Sequence, residues 1–169
     1  MITQKKMIKN NSITSFLIII YLLYSGIVQA DNKKLSLPRF VSIKSNEVNA
    51  RTGPHFKSSI EWIFIKKGEP VEIIEEYEQW RLVRDLKGEG GWIHASVLSA
   101  KRFIVVIGKD IVPMLASPNN KNKIIIKLAP NVRCQLHKAI ENWCKIQCGE
   151  YKGWLQKEFL WGVYTDEKL

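Results

Sequence analysis

Apolar residues are distributed in two different ways along this chain. In residues 1–30 they are continuous: Phe16 to Tyr24 is an unbroken apolar run, preceded by Lys5, Lys6 and Lys9 with no acid to offset them. The run relaxes through Ser25 and Gly26 and ends on Val28-Gln29-Ala30, with small residues where a signal peptidase reads them. This predicts a secretory signal peptide cleaved after Ala30. Counted from Ser15 to Val28 the stretch has 14 residues, short of the roughly 20 that a membrane-spanning helix needs. No stable membrane span is therefore expected after cleavage.

Beyond residue 30 apolar positions come in short runs broken by turn residues. Glu47 to Arg51 alternates and stops at Gly53-Pro54. Ile60 to Ile65 is β-branched and aromatic and ends at Lys67-Gly68. Val71–Tyr77 and Trp80–Arg84 flank a polar turn, a hairpin signal. Asp85 to Gly91 is a second turn region, and Trp92-Ile93-His94 follows it. Helical periodicity is confined to one turn near Ala95–Leu98. Val71, Ile73 and Val83 share one parity and are predicted to face a core, with Ile73 opposite Val83. Trp80 has the opposite parity.

The same pattern then recurs. Gly68–Val83 overlays Asn131–Ile146, placing Trp80 on Trp143, Glu78 on Glu141, Ile73 on Leu136 and Val83 on Ile146. After one gap, Gly91-Trp92-Ile93 overlays Gly153-Trp154-Leu155. Two units of about sixty residues, each made of short strands and Gly/Pro turns, predict an all-β chain of two tandem small antiparallel barrels. The boundaries are a leader at 1–30, a short N-terminal segment at 31–39, a first barrel at 40–101, a second at 102–163 and a tail at 164–169. With almost no linker after Leu98, the barrels are expected to dock rigidly.

Charge narrows the class of partner. The chain holds 26 basic and 16 acidic residues, a formal net charge of +10. The basic residues are scattered, without the dense block that displaces counterions from phosphates, so no nucleic-acid partner is expected. The excess suits solubility and a general attraction to an anionic envelope surface.

Four motifs in order carry a resemblance. Val48-Asn49-Ala50-Arg51-Thr52-Gly53-Pro54, Lys67–Ile74, Trp80-Arg81-Leu82-Val83 and Gly90-Gly91-Trp92-Ile93 resemble a bacterial SH3-like domain. The second copy is degenerate. It keeps Trp143 and Gly153-Trp154-Leu155 but has Val112–Pro118 in place of the Asn49–Pro54 motif. The whole is similar to tandem, exported proteins of Gram-negative type. The resemblance implies small SH3-like barrels in the cell envelope that bind peptidoglycan or its peptides. It places the chain in the periplasm, with secretion as the other destination. An envelope protein, for which the chain would be an adaptor, and a host-directed role are the alternative readings.

The candidate ligand groove is lined by Tyr77, Trp80 and Trp92, with Arg51 at its edge. Aromatic faces suit sugar rings and glycine-rich peptides, and a cation suits a stem-peptide carboxylate. Packing is the competing role for each of the six tryptophans, because a barrel this small buries only about 60% of its surface. For Arg51 the competing role is an internal ion pair. Glu72, Glu75, Glu76 and Glu78 read as a solvated edge rather than a metal site.

All three cysteines lie in the second copy. The hairpin register sets Cys134 opposite Cys148, a disulfide that an oxidising compartment permits; a one-step slip pairs Cys134 with Cys144 instead. No two cysteines have the spacing of a structural zinc site. His55, His94 and His137 lie in no recognisable catalytic context, and no phosphate loop, metal-binding histidine pair or nucleophile elbow is present. The expectation is a binding protein, not an enzyme, without metal or cofactor.

Overall fold

The computed structural model describes residues 35–119 and 123–169. The expected leader and residues 31–34 of the segment that follows it lie outside the described residues. Ser36–Leu169 form one compact unit. Among the described residues no helix is long and apolar enough to cross a membrane.

The unit holds two seven-stranded antiparallel sheets. The first comprises β1 (Arg39–Ile43), β2 (Val48–Arg51), β3 (Ile60–Phe64), β4 (Pro70–Tyr77), β5 (Trp80–Arg84), β6 (Gly90–His94) and β7 (Leu98–Ser99). The second comprises β8 (Phe103–Val106), β9 (Val112–Leu115), β10 (Ile124–Leu128), β11 (Arg133–Ile140), β12 (Trp143–Cys148), β13 (Tyr151–Gln156) and β14 (Leu160–Trp161). The strand orders are β3-β2-β6-β5-β4-β1-β7 and β10-β9-β13-β12-β11-β8-β14, the same order shifted by seven. The duplication in sequence is therefore a duplication of topology. One 3-10 turn, Ala95–Val97, follows β6, and its counterpart Lys157–Phe159 follows β13.

Details of the turns repeat as well. Glu78 and Glu141 both adopt positive φ at the tips of their hairpins, as do Gly68 and Asn131 before β4 and β11. Asparagine is among the few residues that tolerate this conformation where glycine is missing.

Each barrel has its own core. In the first, Ile73 pairs with Val83, and both pack with Ile43, Val48, Val71 and Ile93. In the second, Leu136 pairs with Ile146 among Ile104, Met114 and Leu155. Burial of each such side chain contributes about 1.5–3 kcal/mol. Cys134 and Cys148 join β11 to β12 by a disulfide with Cα atoms 4.5 Å apart, and Cys144 is a buried free thiol.

The outer face of β4 meets the second barrel. Phe40 stacks edge-on against Trp161 with ring centroids 5.0 Å apart and tilts over Tyr164 at 4.7 Å. The Arg102 guanidinium sits 5.7 Å from the Phe40 ring centre. Arg133 of the second barrel forks onto Glu69 of the first, with Nη2 donating to Oε1 at 2.9 Å. Gly68 lies so close to Phe103 that a Cβ there would be 3.2 Å from its ring.

This corrects the reading of Glu72 and Glu76 as part of a solvated edge, while Glu75 and Glu78 are exposed as expected. β4 lies between β5 and β1, so it is not an edge. Glu72 is only 5% exposed and accepts hydrogen bonds from Arg84 and Tyr164. Glu76 is bridged to both Arg39 and Arg81. Residues 164–169 also pack closely: Glu167 accepts from Arg102 and from the Tyr164 N–H, and the backbone of Leu169 bonds reciprocally with Ala139.

Candidate functional site

Parity along β5 and β6 puts Val83 and Ile93 inside and sends Trp80, Leu82, Trp92 and His94 to the outer face. Cross-strand register then gathers the candidate residues. Tyr77 is opposite Trp80, Trp80 opposite His94, Leu82 opposite Trp92 and Trp92 opposite Arg51. All four residues singled out in the sequence thus lie on one outer face of the first barrel.

Trp80 is only 7% exposed although it stands outside the cluster that fills the first barrel. Two residues outside the sequence-based groove cover it. Phe56 rests on it edge-on with centroids 4.8 Å apart, and His94 stands perpendicular to it at 5.5 Å. Phe56 and His94 are themselves 5.5 Å apart. Phe56 is 69% exposed. A large aromatic ring held mostly in solvent on top of another ring belongs to the surface rather than the core. Tyr77, 48% exposed, stands beside Trp80 at the hairpin end.

The loop that carries Phe56 is fastened to the sheet. Arg51 Nη1 donates to the Ser58 carbonyl at 2.7 Å, and Thr52 N–H donates to the Ser59 carbonyl at 3.0 Å. His55 N–H and Ser58 N–H close internal turns onto the Gly53 and His55 carbonyls. Arg51 is therefore held by a backbone carbonyl rather than by an acid. A shallow depression lined by His55, Phe56, Lys57 and Ser58 opens beside the ring. His94 Nδ1 lies 2.8 Å from Ser96 Oγ and accepts from the Ser96 N–H at 3.3 Å.

The Gly90-Gly91 pair explains why the site is compact. A Cβ at Gly90 would lie 2.1 Å from the Val83 carbonyl, and one at Gly91, where φ is +128°, 2.7 Å from the Arg51 carbonyl. Only glycine lets β6 approach its neighbours this closely.

Among the described residues the second barrel keeps the scaffold but not the Arg51 and His94 side chains. Leu115 stands opposite Trp154 and Gln156 opposite Trp143, in the positions that Arg51 and His94 hold in the first barrel. Cys144 is deep in that core, where burial pushes its thiol up to about 11 although Lys157 pulls the other way. Among the described residues no group of three or more His, Cys, Asp or Glu is placed to hold a metal ion.

The family model for the bacterial SH3 domain matches residues 44–100 and again residues 108–162. The chain belongs to the bacterial SH3 domain family. Bacterial SH3 domains are often cell-wall binding modules and are typically non-catalytic. Among solved structures, the chain is similar to NlpC1 from Trichomonas vaginalis, at 14% identity and a TM-score of 0.35, over 80% of this chain and 49% of that one. It is similar to NlpC2 from the same organism at 14% identity and a TM-score of 0.35, over 79% and 51%. The chain spans about half the length of each. No curated protein matches.

The signal that would have found Phe56 and His94 was modest. His94 alternates with Trp92, so the two share a face wherever that segment is a strand. Phe56 follows Gly53-Pro54, and an aromatic residue at a loop tip has no core to enter.

Proposed function

We propose that this bacterial SH3 chain is a non-catalytic cell-envelope binding module that recognises peptidoglycan or its peptides through the outer face of its first barrel. The observation that carries the reading is Phe56, a ring 69% exposed and propped on Trp80 and His94. Flat apolar faces of this kind pack on sugar rings and on glycine-rich backbone. Arg51 spends one Nη on the Ser58 carbonyl and keeps the rest of its fork for a peptide carboxylate.

In this reading the protein acts outside the cytoplasm, after export directed by residues 1–30, and the periplasm is its compartment. The second barrel holds the first in place and contributes no equivalent site.

Co-sedimentation with purified sacculi tests the proposal. Wild-type protein is retained, and Phe56→Ala, which removes an exposed ring and spares the core, weakens retention by about tenfold, as expected for losing one aromatic anchor. Arg51→Ala weakens it too, through the carboxylate and through the loop. If the wild type stays in the supernatant, the reading is wrong. A single dominant crosslink to an envelope protein would then support the adaptor role. Fractionation of the producing cells checks the compartment.

A further inference from the structure

The outer face of the second barrel carries a different chemistry. On β11 and β12, Lys138 pairs directly with Lys145. Lys145 in turn pairs with Trp154 on β13, and Lys152 lies one diagonal step away, opposite Gln147. All three lysines are exposed, and none forms an ion pair among the described residues. Trp143 and Trp154, both half-buried, lie on the same face. At the positions of Lys138 and Lys145 the first barrel has Glu75 opposite Leu82.

Like charges directly opposite each other in a sheet are destabilising. Lysines that guard a sheet sit on edge strands, but β12 lies between β11 and β13, and past its ladder with β8, which ends at Gln135, β11 is paired at Ala139 with the backbone of Leu169. Edge protection therefore does not account for this pair. Directly opposed Cβ atoms are about 5 Å apart and diagonal ones about 7–8 Å. Successive residues of an acidic sugar chain can match such a spacing, and the two indole faces suit the sugar rings between the charges.

We infer that this face is a second binding surface, and that it takes an anionic polysaccharide. The lysine row meets the acidic groups and Trp143 and Trp154 meet the rings. A bilayer would need large apolar side chains standing out from the face, and both tryptophans lie half-buried within it. A single-stranded nucleic acid would need a basic groove that tracks its backbone, and this face is the open surface of a sheet. The surface is independent of the site around Phe56.

The test uses the purified full chain and immobilised polygalacturonate, with a neutral glucan as the reference polymer. The wild type binds polygalacturonate and not the glucan. The triple variant Lys138→Gln/Lys145→Gln/Lys152→Gln weakens binding by about tenfold, the sum expected of three exposed ion pairs. A control variant, Lys44→Gln/Lys66→Gln/Lys67→Gln, removes the same charge from the first barrel and keeps the binding. Phe56→Ala also keeps it, which separates this surface from the one proposed above. Equal loss in the control triple variant would reduce the effect to net charge and overturn the inference. Equal binding to the glucan, no binding to polygalacturonate, or binding only to phosphatidylglycerol vesicles or to single-stranded DNA would overturn it as well.

Discussion

Tyr164, in the C-terminal segment that packs on the second barrel, donates its hydroxyl to Glu72 Oε1 of the first at 2.7 Å. Glu72 also accepts from Arg84 Nε at 2.7 Å, so a carboxylate in the middle of the interface is served from both barrels. Burial raises the Tyr164 phenol well above its ordinary value, and the hydrogen bond to Glu72 adds to the rise. An acid whose folded value is raised stabilises the fold at low pH and loses that contribution as pH climbs past its unfolded value, about 10 for a phenol. Tyr164→Phe removes both the bond and this dependence. The expected cost is about 1.5–3 kcal/mol, the range for a hydrogen bond to a charged group. Urea unfolding near neutrality and again above about pH 10 checks it: the wild type weakens in alkali and the variant weakens less.

At the acid end the relevant group is Glu167. Burial alone would raise its carboxyl, but hydrogen bonds from Arg102 and the Tyr164 N–H, with the charges of Arg102 and Lys157, hold it below the usual carboxylate range. A depressed carboxylate contributes stability above its unfolded value and loses it as pH falls through the folded one. The clasp between residues 164–169 and Arg102 should therefore loosen in acid below about pH 4. Glu167→Gln should flatten the acid limb of a stability–pH curve while lowering stability at neutral pH. An unchanged acid limb would assign the acid sensitivity to other carboxylates.

The cysteines divide into two kinds. The Cys134–Cys148 bridge spans 14 residues of sequence, and a loop of that size contributes about 3 kcal/mol by restricting the unfolded chain. Denaturation with and without reductant, or of Cys134→Ser/Cys148→Ser, measures it. Cys144, raised by burial to about 11, stays a neutral thiol near pH 8 and reacts poorly, because the thiolate is the nucleophile. An aromatic disulfide reagent should label nothing in the native protein and one thiol after unfolding.

Gly91 links stability to the candidate site. A methyl group there would lie 2.7 Å from the Arg51 carbonyl, and Gly153 repeats the approach at 2.7 Å from the Leu115 carbonyl. Gly91→Ala should force β2 away from β6, displace Arg51 and the loop that carries Phe56, and cost about 2 kcal/mol or more. Gly88→Ala is the control. Gly88 also has positive φ, but a Cβ there meets nothing within 4 Å, so it should cost only about 1 kcal/mol and leave sacculi binding intact. Equal effects of the two variants would remove the steric explanation.

Two hydrophobic periodicities and one repeat were legible in the residues themselves. Strand parity is local: once Val83 is read as core, Trp80 on the same strand faces away from it, and the structure places it there, whereas the face of Trp92 is set by the β5–β6 register. The pairing of Cys134 with Cys148 rests on the same hairpin arithmetic, since cross-strand partners within one hairpin are fixed by its turn. The duplicated topology follows from the overlay of Trp80 on Trp143 and Gly91 on Gly153. What tertiary structure alone decided are contacts between segments far apart in sequence. Phe56 reaches Trp80 because the 52–59 loop folds back over the sheet, and no pattern along the chain records where a loop tip lands. Glu72 looked like a solvated acid because β4 read by itself has an open side; only Tyr164, brought against that side with the second barrel and stacked on Phe40 of β1, makes it a buried acceptor. Alternation tells which way a side chain points, whereas what it meets there depends on how the two barrels close on each other.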